Sequence, residues 1–153
     1  MVDEKYTFSN AQKVTADGTT EDSTNQVDLG DIEDDRASDV LARGRGPVNG
    51  ELRLIVSMGV LNTSVGTSLA VALQDATATG GSFAAVSPYP IGTAAIAVAS
   101  LVAGFVLMDV PLPRSLRRAL KLVYTTVGDW TTNQGTLNAF IYYGHQSNRA
   151  LAS

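Results

Sequence analysis

The chain has 153 residues, no cysteine and a single histidine, His145. The first absence excludes a disulfide framework, a thiolate metal site and a cysteine nucleophile. The second excludes the histidine-rich metal centres that cupin-type enzymes need. Charge is scarce as well: 17% of residues are charged, against roughly 25% in a typical soluble domain. The deficit is local, since across residues 54–108 the one charged side chain is Asp75. A solitary domain normally spreads charge over its exposed strand faces, so part of this surface is expected to face other protein subunits. No segment has the length and 3.6-residue apolar period of a long helix. The opening MVDEKYTFSN has early acids and no apolar run, so it does not read as a secretory signal.

The charge that is present is divided unevenly. Residues 1–41 hold 11 acids and three bases, whereas residues 42–153 hold four acids and eight bases. An acidic leader on a mildly basic body argues against a nucleic-acid binder. Residues 1–45 are rich in small polar and acidic side chains and weak in apolar period, as an extended or disordered arm would be. Gly44, Gly46, Pro47 and Gly50 punctuate the junction. The expected organisation is an acidic arm over 1–45, one domain over 46–146 and a short tail over 147–153.

Within the body, period-2 alternation recurs in short stretches. Leu52, Leu54 and Val56 share one face, then Leu69, Val71 and Leu73, Ile96 and Val98, and Phe105 and Leu107. Leu120, Leu122 and Tyr124 follow, then Leu137, Ala139 and Ile141. Turn residues separate them, at 62–66, 76–81 and 87–90 and at Asn133-Gln134-Gly135. Short alternating strands between frequent turns indicate an all-β fold, a jelly-roll-like antiparallel β-sandwich with an extended N-terminal arm. The last two strands, around the Asn133–Gly135 turn, read as a C-terminal hairpin with Trp130 at its tip. Residues 91–108 carry no charge over 18 positions, close to the roughly 20 a spanning helix needs. Half of them are Ala, Gly, Ser or Thr, and period-2 stretches interrupt them, so strands are expected there and no membrane span.

Motifs for chemistry are weak. Asp28, Asp31, Glu33, Asp34 and Asp35 lack the spacing and the closing glutamate of a calcium loop, and read as a solvated charge run. Gly44-Arg45-Gly46-Pro47 is too short for a phosphate loop. No serine sits in a G-x-S-x-G elbow, and His145 has no nucleophile motif to serve. Neither a metal nor an organic cofactor is expected. Arg114, Arg117, Arg118 and Lys121 form the one basic cluster. With no interleaved aromatics it suits nucleic acid poorly, and is expected to pair with the acidic leader (Asp28, Asp31, Asp34, Asp35) or with a neighbouring subunit. Trp130 is either a loop anchor or a subunit contact.

Three segments taken in order, FSNAQKVT with STNQVDLG, then GRGPVNGELRLIV, then LPRSLRRALKLVYTTVGDWTTNQGTLNAFI, resemble the capsid cement, or decoration, proteins of short-tailed phages of the Bordetella-phage type. The resemblance implies a jelly-roll on the outer surface of an icosahedral head, assembled in the host cytoplasm. It also implies contacts with the major capsid protein and with copies of itself, as a dimer or trimer, and no catalytic residues. The acidic insert over 31–45 departs from that pattern. A carbohydrate- or receptor-binding sandwich of a virion fibre or head is the rival expectation, with Tyr89, Trp130, Tyr142 and Tyr143 as the available aromatics.

Overall fold

A computed structural model describes residues 6–29, 52–60, 65–113 and 116–143. The strands are β1 (Thr7–Gln12), β2 (Thr20–Asp22), β3 (Val27–Asp28), β4 (Leu52–Val60), β5 (Ser68–Ala76), β6 (Ala84–Ala85), β7 (Ile96–Ala97), β8 (Val106–Pro111), β9 (Ala119–Val127) and β10 (Thr136–Tyr143). They form two antiparallel sheets. One has the order β1-β10-β4-β8. The other runs β2-β9-β5-β6, with β3 also on β9 and β7 also on β5. Counting β2 with β3, and β6 with β7, as interrupted single strands gives eight strands in the interleaved order of a jelly-roll. The all-β sandwich expected from the alternation is the fold observed.

The alternation sets the core directly, because successive side chains point to opposite faces of a strand. Leu52, Leu54, Val56 and Met58 of β4 face inward beside Leu137, Ala139 and Ile141 of β10. Across the gap stand Leu69, Val71 and Leu73 of β5 with Leu120, Leu122 and Tyr124 of β9. Burying each such side chain contributes about 1.5–3 kcal/mol. The two layers are also joined by a polar bridge. Ser9 Oγ donates to Gln12 Oε1 at 2.6 Å, which leaves the buried Tyr124 hydroxyl to donate to Ser9 Oγ at 2.7 Å.

Two expectations are corrected. The first is the boundary at residue 45. Residues 6–29 are built into the sandwich: β1 pairs with β10, and β2 and β3 pair with β9. Phe8, Val14, Val27 and Leu29 lie in the core. The leader contains few apolar residues, but their strands pair with segments some 90 to 130 positions away, which composition does not register. The second correction is the C-terminal hairpin. β9 and β10 do not pair with each other; they lie in opposite sheets. β9 is already flanked by β5 and β2, and β10 by β4 and β1. The segment between them crosses the sandwich, turned by Gly128, Asn133 and Gly135, all at positive φ.

All four sheet edges are blunted against further strand addition. β1 carries two register shifts, β2 and β3 are separated by a break, and β6 and β7 are two residues each. β8 has an irregularity opposite Val56 and Ser57 and ends at Pro111, which has no N–H to donate.

The integrated leader has a testable consequence. Phe8→Ala is expected to lower stability by about 3–5 kcal/mol, the usual cost of emptying a buried aromatic site. Removal of residues 1–29 is expected to abolish cooperative unfolding. Urea denaturation followed by far-UV circular dichroism checks both; a truncated chain with unaltered stability would refute the assignment.

Candidate interaction surfaces

The basic cluster lies where the 112–118 connection meets the start of β9. Arg114 lies outside the described residues, as do Asp31, Asp34, Asp35 and His145. Arg117 grips Asp75: its Nε and Nη2 reach Asp75 Oδ1 at 2.8 and 2.6 Å, and its backbone N–H donates to Oδ2 at 3.0 Å. Asp75 is almost fully buried, with its side chain 4% exposed. The lone acid of the charge-poor stretch is therefore the anchor of this connection. Arg118 holds Asp28 in a two-pronged pair, Nε to Oδ1 and Nη2 to Oδ2, both 2.8 Å. Lys121 Nζ meets Asp22 Oδ2 at 2.8 Å and lies 5.0 Å from the Phe83 ring centre. Arg118 and Lys121 thus bind leader carboxylates within the same chain.

Trp130 is not a surface contact. It is 1% exposed, and its indole N–H donates to Val127 O at 3.0 Å. Gln134 Nε2 donates to Trp130 O at 2.6 Å. A Cβ on Gly66 would lie 2.2 Å from Trp130 Nε1, so only glycine leaves room for the ring. Trp130 thereby ties residues 65–67 to the 128–135 crossing, as a loop anchor.

On the outer face of the β1-β10-β4-β8 sheet, Arg53 Nε reaches Asp109 Oδ1 at 2.9 Å. The Tyr142 hydroxyl donates to both Asp109 oxygens at 2.9 and 3.0 Å. The hydrogen bond from Arg53 holds the Asp109 carboxyl below the usual carboxylate range, against a smaller opposing effect of desolvation. Desolvation and the bond to Asp109 push the Tyr142 hydroxyl up. Phe140 packs edge-on against Tyr142, with ring centres 6.3 Å apart. Sequence reading overlooked this triad because its members lie on three strands. The one available signal was a charged residue on each of two strands whose other residues are mostly apolar.

An open groove of about 430 Å³ lies outside the other sheet, between Ala70, Ala72 and Thr125 and the segment from Pro90 to Ala94. No ionisable side chain lines it. Among the described residues, no three His, Asp or Glu side chains converge as a metal site would require. No helix of the described residues is long and apolar enough to cross a membrane.

The exposed apolar side chains are not scattered. Among the described residues the large ones are Val60, Val65, Tyr89, Val102, Val106 and Val127. All but Tyr89 stand at one end of the sandwich, where the connections over 13–19, 65–67, 98–105 and 128–135 gather. Backbone bonds from Thr67 to Val127, Val98 to Thr67, and Thr126 to Thr19 hold these connections together. The paired charges Asp22, Asp28, Asp75, Arg117, Arg118 and Lys121 belong to the other end and its flank. Among the described residues, large apolar side chains and paired charges are thus separated between the two ends. A scan against protein-family models finds no match, and a search of curated proteins finds no relative.

Two outcomes follow from this electrostatic layout. Arg117→Ala strands a buried carboxylate and is expected to cost about 1–3 kcal/mol, whereas Arg118→Ala removes an exposed pair and is expected to cost at most about 1 kcal/mol. Chemical denaturation of the two variants checks the order, and equal losses would refute it. Burial pushes the Tyr124 hydroxyl from 10.0 to about 12, with the field of Glu21 adding to the rise and the Ser9 hydrogen bond opposing it. A raised folded-state value favours the protonated form. Its contribution is complete below pH 10.0 and is lost as pH climbs toward about 12. Stability measured between those limits should fall with pH in the native chain, and less steeply in Tyr124→Phe.

Proposed function

We propose that this chain is a non-enzymatic structural protein of a tailed-phage head, a cement or decoration protein on the outside of the capsid that bridges and stabilises major-capsid subunits. The observation that carries the reading is the surface. Asp22, Asp28, Asp75 and Asp109 each pair with a cation of the same chain, while among the described residues the exposed valines gather at one end, as a contact surface requires. The segmental resemblance to phage cement proteins points the same way. The mechanism is mechanical: each bound copy adds contacts that must break before neighbouring capsomers separate. Many copies on one shell make individually weak contacts collectively strong. Blunted sheet edges suit this role, because copies crowded on a shell do not add strands to one another.

Heads with and without the protein provide the test. Heads lacking it are expected to release DNA at a lower temperature and to rupture under milder osmotic shock, and purified protein added back is expected to restore both. Equal survival would overturn the stabilising role. A second reading, glycan binding, is favoured by Tyr89, which is 81% exposed beside the groove wall. Specific retention on a glycan array, lost in Tyr89→Ala, would support it over the first.

A further inference from the structure

Charge and apolar surface are segregated along the long axis of the sandwich. Among the described residues of the connections at one end, 65–67, 98–105 and 128–135 contain a single charged residue, Asp129, and 13–19 adds Lys13 and Asp17. Glu21 adds a further acid, its Oε2 accepting from the backbone N–H groups of Thr15 and Ala16 at 2.8 and 3.0 Å, so Lys13, Asp17, Glu21 and Asp129 leave that end with a net charge of −2. Val60, Val65, Val102, Val106 and Val127 are exposed there, between 46% and 78%. Exposed valines drawn from separate segments to one end of a domain mark a contact surface, and they stand on a rigid base. Trp130 fills the space under Gly66, and Thr126 Oγ1 donates to Ala16 O.

From this segregation we infer that the valine-bearing end is the docking end, and that its partner is an apolar protein surface, neutral or mildly cationic, on the shell. The inference rests on the cement reading and adds an orientation to it: the valine end faces the capsid and the end bearing the Arg117–Asp75 and Arg118–Asp28 pairs faces solvent. Charge selects the occupant. A second copy meeting this end would set −2 against −2, with Lys13 as the one cation against Asp17, Glu21 and Asp129 on each side. An anionic lipid surface is disfavoured for the same reason. A shell surface free of acids has neither cost, and it covers the valines.

The test uses the full chain and heads purified without it. Val65→Asp and Val127→Asp place a charge at the docking end on exposed side chains, and Ala78→Asp places one at the other end. Circular dichroism melts are expected to show all three folded with the native midpoint. In co-sedimentation the native chain and Ala78→Asp are expected to saturate heads at one fixed ratio, with Val65→Asp and Val127→Asp at least tenfold weaker. Undiminished binding by both valine variants, with the native chain bound, overturns the docking assignment and leaves the cement reading standing. A native chain that does not bind heads overturns both. Native dimers or trimers in sedimentation velocity that Val65→Asp converts to monomers assign this end to a second copy and overturn the inference.

Discussion

The hydrogen bond between Tyr124 and Ser9 states the central constraint of this fold. It joins a strand of one sheet to a strand of the other through the middle of the core, and its Ser9 half comes from the acidic leader. A hydroxyl buried there without a partner would cost a few kcal/mol. The bridge is satisfied only when β1 lies beside β10, and the leader then continues across the sandwich to place β2 and β3 on β9. Gln12 extends the bridge outward, its amide reaching Glu21 Oε1 and the Asp22 carbonyl. The leader is thus fastened along its length, and it delivers Asp22 and Asp28 to Lys121 and Arg118.

The surface follows from that arrangement. With Asp22 of β2 against Lys121 of β9 and Asp28 of β3 against Arg118 just before it, charge collects on one part of the molecule and is paired there. The connections over 13–19, 65–67, 98–105 and 128–135, rich in Gly, Ala, Ser, Thr and Val, converge at the far end. A sandwich whose edges are all blunted has only faces and ends with which to bind other molecules. One sheet face carries mostly small side chains and the other the Arg53–Asp109–Tyr142 group, whereas five of the six exposed large apolar side chains among the described residues stand at the valine-bearing end. The proposed role of holding a shell together therefore rests on shape and polarity.

Several elements were legible in the order of the residues. The strands at 52–60, 68–76, 119–127 and 136–143 alternate cleanly because each has one buried and one partly exposed face. Asp75 stood out as the lone acid in an apolar stretch, and the basic cluster was visible as a cluster. Less legible were strands of two or three residues such as β2, β3, β6 and β7, which are too short to display a period and exist because a longer neighbour offers them hydrogen bonds. Trp130 was ambiguous for a related reason. A large amphipathic ring serves as anchor or contact according to what stands opposite, and what stands opposite is Gly66, sixty-four positions earlier.

By itself the sequence determined the class of fold, the identity of the main core residues and the absence of disulfides and thiolate ligands, because these depend on local period and on composition. Tertiary structure decided which strands are neighbours. Alternation states which side of a strand is buried but not against which partner, so the same pattern served a hairpin or a crossing between sheets, and only the competition for edges assigned β9 and β10 to opposite layers. It also decided that an acidic leader is part of the core, and that valines spread over four segments stand at one end, since both depend on contacts between residues distant along the chain.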